Sequence, residues 1–112
     1  PYVFLAGNEG VEWATDAVLA REKAFGERLK AASLDFQDKF GYPPGKHGAE
    51  SLKLASKWIA HRFGCLSLTL EMPFKDNANR PDAHVGWSGA RSAALGASML
   101  AAIWSQMQAD NA

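Results

Sequence analysis

The sequence predicts an α/β arrangement, with helices covering a largely buried sheet. Two apolar runs, 2–6 and 65–72, have strand character. Three other segments carry helical apolar spacing, and the order is strand, helix, loop, helix, strand, helix.

Tyr2 to Ala6 is a short apolar run ended by Gly7-Asn8-Glu9-Gly10, which reads as a buried strand running into a loop. From Thr15 to Ala32 the pattern turns helical. Val18, Phe25, Leu29 and Ala32 share one face at spacings of seven, four and three. Gly26 is the weak point of that helix, since an interior glycine costs roughly 1 kcal/mol relative to alanine. Residues 34–48 form an irregular loop, because Gly41-Tyr42-Pro43-Pro44-Gly45 can continue neither a helix nor a central strand. Tyr42 is its exposed aromatic.

Glu50 to Phe63 reads as one amphipathic helix with Leu52, Ala55, Ile59 and Phe63 facing inward and Gly64 as its C-terminal cap. Cys65 to Met72 is the clearest strand: Leu66, Leu68, Leu70 and Met72 alternate with Cys65, Ser67, Thr69 and Glu71. Pro73 ends it. Residues 75–86 form a polar loop, and Ser88 caps a last helix running to about Gln108. Leu95, Met99, Ile103 and Met107 form the stripe of that helix. Two strands make a poor sheet alone, so further strands are expected outside these residues.

Composition narrows the function. The chain has 112 residues, enough for one small domain, with 12 Lys+Arg against 12 Asp+Glu. A neutral balance supplies no excess positive field for a polyanion, and the four tryptophans lack basic interleaving. They read as packing anchors, and no nucleic-acid partner is expected. A single cysteine, Cys65, rules out an internal disulfide and fits the cytoplasm; its strand position favours core packing. The apolar stretch 93–104 is too short for a membrane span, no signal peptide is evident, and no membrane partner is expected. Pro1-Tyr2-Val3-Phe4-Leu5 enters an apolar run without an initiator methionine, as a sequence cut from a longer protein does.

Period two puts Ser67, Thr69 and Glu71 on one face of the second strand, opposite the leucines. Glu71 falls at the strand's C-terminal end, where open α/β sheets place ligands. A carboxylate there can be a general base or simply a solvated strand-end charge.

Ser67-Leu68-Thr69-Leu70-Glu71-Met72-Pro73-Phe74-Lys75-Asp76 resembles the base-bearing strand of the zinc metallocarboxypeptidases, in particular the bacterial relatives of the cytosolic carboxypeptidases. Pro1 to Gly10, Phe40-Gly41-Tyr42-Pro43 and Gly86-Trp87-Ser88 extend the resemblance over nearly the whole chain. It implies that residues 1–112 are the C-terminal portion of one catalytic domain, part of a mixed β-sheet flanked by helices. It also implies a Zn²⁺ cofactor held by a His-x-x-Glu pair and a later His, all upstream of Pro1, and peptide or protein C-termini as substrate. Glu71 is then the general base, Thr69 lines the pocket for the terminal side chain, and Tyr42 matches the substrate-binding tyrosine. The remainder of the domain would be the chain's structural partner.

His47-Gly48-Ala49-Glu50 has the His-x-x-Glu spacing, but it lies in a loop and helix start 24 positions before Glu71, with no third ligand in the right order. No metal ligand is therefore assigned within the chain. His61 and His84 read as surface residues, and Arg62, Arg80 and Arg91 as solvated or structural cations. A zinc amide deacylase and a non-catalytic α/β interaction module are the rival readings. The isolated 112-residue chain is expected to show no chelator-sensitive peptide hydrolysis, which a peptidase assay with and without added zinc checks.

Overall fold

The computed structural model describes residues 1–43, 45 and 48–112. His47, and with it half of the His-x-x-Glu spacing, lies outside the described residues. The elements are β1 (Phe4–Ala6), α1 (Asp16–Ala32), a 3-10 helix (Ala49–Lys53), α2 (Ala55–Phe63), β2 (Thr69–Glu71) and α3 (Gly89–Asp110).

The two strands pair antiparallel, with Phe4 opposite Glu71, Leu5 opposite Leu70 and Ala6 opposite Thr69. A parallel bridge joins Val3 to Phe36. Both strands are shorter than their sequence patterns. β1 offers a ladder partner only over Phe4–Ala6, so Cys65 to Leu68 run alongside without one. The alternation still decides direction: Leu66, Leu68 and Leu70 pack against the core. Cys65, outside the ladder, is exposed rather than packed in the core, and its thiol meets the Ile59 carbonyl at 3.9 Å.

That core comprises Val3, Phe25, Leu29, Phe36, Leu95 and Ala102. Fully burying side chains as large as Leu29 or Phe25 contributes about 1.5–3 kcal/mol each. Helix α1 begins where predicted: the Thr15 hydroxyl accepts from the Val18 N–H at 3.2 Å. It runs unbroken through Gly26, where a Cβ would meet nothing. Its far end is exposed at Ala32, because only Phe25 and Leu29 of the predicted face are buried. Across the pair with α3, Arg28 donates to Ser105 Oγ at 2.6 Å and to Gln106 Oε1 at 3.1 Å, while Arg21 pairs with Asp110 at 2.7 Å.

Helix α3 is capped by Ser88, whose hydroxyl accepts from the Arg91 N–H. Its inward stripe is Leu95, Met99, Ala102 and Gln106, not Leu95, Met99, Ile103 and Met107. Steps of four residues drift by about 40° each on a 3.6-residue helix, so the predicted stripe leaves the interface after two turns.

The segment predicted as one helix from Glu50 to Phe63 is broken at Leu54. The Leu54 N–H closes the 3-10 turn on the Ser51 carbonyl at 3.0 Å, and its own carbonyl then starts α2 by accepting from Trp58 at 2.9 Å. The break rotates the face. Ala60 is buried, while Ile59 and Phe63 are 40% and 63% exposed. Polar anchors set this orientation: Lys57 donates to the Gly7 carbonyl, and Ser56 accepts from Thr69. Gly64 closes α2 in the left-handed conformation at φ 60°, as its position predicted.

The loop 75–87 is pinned to the segment after α1 and to α3. Asp35, nearly buried, receives Arg91 at 2.7 Å and Arg80 at 3.6 Å, and Arg91 also reaches Asp76 at 3.3 Å. The bond to Asp35 raises the Arg91 pKa further above its ordinary value. Arg91 also lies over the Trp87 ring, 4.9 Å from its centroid. Gly86 sits at φ 70° with the Lys75 carbonyl so close that a Cβ would stand 2.2 Å from its oxygen. Arg91→Met removes the shorter of the two arginine contacts to Asp35 and leaves Arg80 at 3.6 Å; it is expected to cost about 1–3 kcal/mol, read as a lower midpoint in chemical denaturation.

Candidate active site

Glu71 is the last residue of β2, and the register sets it directly across from Phe4. Pro73, two residues on and buried, stops the strand and fixes where that carboxylate emerges. Tyr42 comes from the loop after α1. Its hydroxyl donates to Glu71 Oε1 at 2.8 Å, and its ring meets the Phe4 ring edge-on, centroids 5.1 Å apart. Tyr42 is 65% exposed, so this pair stands at the surface.

Together with Tyr2, Phe4, Phe40 and Phe74, the pair lines an open groove of about 400 Å³. Tyr2 and Phe40 stack there, 4.7 Å apart and 15° from parallel. Five aromatic side chains thus line the groove together with one carboxylate, Glu71. The bond to Glu71 raises the Tyr42 pKa above its ordinary value of 10.0, with burial and the carboxylate's charge adding smaller effects. Donating to a carboxylate favours the neutral phenol.

The structure brings Glu71 and Tyr42 together. Thr69 lies on the same strand as Glu71, but its hydroxyl donates to Ser56 Oγ on α2 at 3.3 Å. His61 faces Trp13 edge-on, centroids 5.0 Å apart, and His84 is exposed in the loop after β2. Glu50 accepts from the Gly48 N–H at 3.0 Å at the start of the 3-10 helix. Among the described residues no group of three His, Cys, Asp or Glu side chains could hold a metal ion. Nor is any helix there long and apolar enough to cross a membrane.

One residue escaped the sequence reading. Gln37 is 8% exposed, and its side chain spans the loop that carries Tyr42. Its Nε2 donates to the Val3 and Phe40 carbonyls at 3.2 and 2.7 Å. Its Oε1 accepts from the Lys39 and Phe40 N–H groups at 3.1 and 2.7 Å. A glutamine in a polar loop carries no periodicity to betray such a role. Its place directly after the apolar Phe36 was the only available signal.

Fold and site define an α/β segment that presents a phenol-bound carboxylate at a strand tip. No protein-family model matches the chain. An uncharacterised protein of Zymomonas mobilis is 42% identical over 106 residues, 92% of this chain and 27% of that protein. The metallo-carboxypeptidase of Burkholderia cenocepacia is 58% identical with a TM-score of 0.92, over 97% of this chain and 29% of that one. A metallo-carboxypeptidase of Pseudomonas aeruginosa, solved with (2-guanidinoethylmercapto)succinic acid, is 39% identical with a TM-score of 0.87, over 98% of this chain and 28% of that one. Over nearly its whole length the chain is similar to metallo-carboxypeptidases, and it spans a little over a quarter of the length of the relatives it matches.

The hydrogen bond between Tyr42 and Glu71 gives a titration that can be read directly. Because the fold raises the phenol's pKa, the bond's contribution to stability is complete below pH 10.0 and is lost as pH climbs through the raised value. Glu71→Gln is expected to bring the Tyr42 midpoint back down toward 10.0 in an ultraviolet titration that subtracts a Tyr42→Phe control.

Proposed function

We propose that residues 1–112 are the C-terminal portion of a zinc metallocarboxypeptidase catalytic domain that removes residues from peptide or protein C-termini. One observation carries this reading: a strand-tip carboxylate, Glu71, holds the hydroxyl of a loop tyrosine, Tyr42, in an open groove. The likeness to metallo-carboxypeptidases supports it.

Zinc, held by ligands in the remainder of the domain, would make water acidic enough to attack an amide near neutral pH. The work of this chain is proton transfer and substrate placement. Glu71 takes a proton from the attacking water and returns it to the leaving amine. Its site at the end of a paired strand holds the acceptor oxygens in place for both transfers. Tyr42 gives its hydroxyl to the carboxylate of the substrate's last residue, exchanging one anionic acceptor for another at little cost. The succinic acid derivative bound by the Pseudomonas aeruginosa enzyme is itself a carboxylate ligand and agrees with such a site. Thr69, on the same strand two residues before Glu71, lines the pocket for the terminal side chain. A cytoplasmic location fits a chain whose one cysteine, Cys65, is free.

In the full-length enzyme, Glu71→Gln is expected to keep zinc content and fold while lowering kcat by about 10²–10⁴-fold. Metal analysis and steady-state kinetics on a peptide panel read this out, with N-acyl amino acids as the competing substrates. Near-normal turnover removes the base assignment, and preferential cleavage of the acyl compounds makes the enzyme a deacylase.

A further inference from the structure

Tyr42 is mostly exposed, and it lies in a loop that the sequence marks as irregular. An exposed tyrosine on such a loop loses side-chain and backbone freedom when it is held in one place. Its hydroxyl nevertheless meets Glu71 at hydrogen-bond distance. Something must order the loop before that bond can form.

The ordering group is the Gln37 amide. Its four side-chain hydrogen bonds use both amide hydrogens and the carbonyl oxygen. The Gln37 backbone N–H donates to the Val3 carbonyl as well, at 3.2 Å. The 39–40 turn is therefore tied to the residue just before β1. From that anchor the chain passes over Phe4 at Gly41, where a Cβ would approach the Phe4 ring to 3.2 Å. Tyr42 then arrives with its ring edge-on to Phe4, the residue paired across the ladder with Glu71.

We propose that Gln37 is a positioning residue for the reaction: its buried amide holds the 39–42 segment so that Tyr42 meets Phe4 through its ring and Glu71 through its hydroxyl. The inference rests on the proposed function for its kinetic consequence, but its geometry stands without it. Gln37 touches no substrate. It limits how far Tyr42 can stray from Glu71, and so sets how much freedom Tyr42 gives up when a substrate carboxylate arrives. Loss of the clamp leaves the proton transfer by Glu71 intact and weakens binding, which places the effect in KM.

The test uses the full-length enzyme labelled with ¹³C at tyrosine Cζ, with the Tyr42 signal assigned by Tyr42→Phe. Gln37→Met preserves length and removes all four side-chain bonds. It is expected to return the Tyr42 midpoint toward 10.0, and to raise KM at least about fivefold with kcat changed less than about twofold. Gln37→Glu sets a carboxylate oxygen against the Val3 and Phe40 carbonyls in place of the donor and is expected to disturb the Tyr42 titration and KM at least as much as Gln37→Met. If Gln37→Met fails to fold, Phe4→Leu provides the reading, since it removes the ring contact and keeps an apolar strand residue. A folded Gln37→Met variant with the Tyr42 titration unchanged overturns the proposal. The two readings fail separately. Retained turnover in Glu71→Gln ends the catalytic assignment but leaves the Tyr42 titration to decide the clamp. An unmoved titration ends the clamp but leaves Glu71 in its role.

Discussion

The antiparallel register of two three-residue strands is the constraint on which the site depends. Phe4 opposite Glu71 is a single pairing, yet it fixes three things. It selects the end of β2 at which the carboxylate emerges. It puts an aromatic ring beside that carboxylate, ready for Tyr42. It also sends Leu70 to the opposite face, into the core with Leu66 and Leu68. A slip of one residue would turn Glu71 toward the core, where an unpaired carboxylate is costly, and the strand's leucines toward solvent. Register is therefore defended by hydrophobic burial on one side and by charge on the other.

Around this ladder, polar side chains rather than apolar ones settle the finer placement. Gln37 hangs the Tyr42 loop on Val3, and Asp35 gathers Arg80 and Arg91. Ser56 and Lys57 orient α2 against Thr69 and Gly7. Each ties segments far apart in sequence, and each lies close to either the strand ladder or the loop that follows it. The core supplies most of the folding energy, and these contacts choose among the packings that it permits.

The legible parts of the sequence were those governed by local rules. Ser88 and Gly64 marked helix ends because a side chain, or the lack of one, acts there within a single turn. The alternation at Leu66, Leu68 and Leu70 gave the correct buried face of the second strand. What failed depended on partners. The face of α2 could not be read from Leu52, Ala55, Ile59 and Phe63, because Ser56 and Lys57 decide it through contacts outside the helix. The α3 stripe was right for two positions and then drifted, since the partner helix selects Ala102 and Gln106. At the site, Glu71 and Tyr42 were named from resemblance, and the structure joins them by a bond that no spacing rule contains. Gln37 was invisible because an amide that ties distant Val3 to Lys39 and Phe40 of an irregular loop leaves no pattern behind.

The outward side of α2 has a practical consequence. Leu54, Ile59 and Phe63 stand in solvent, and Trp58 beside them is also exposed. An apolar strip of this kind adheres to whatever resembles it, including other copies of itself. With a formal charge of zero, no long-range repulsion opposes that adhesion. A polypeptide of these 112 residues is accordingly prone to self-association near neutral pH, and detergent, low protein concentration or a soluble fusion partner keeps it dispersed.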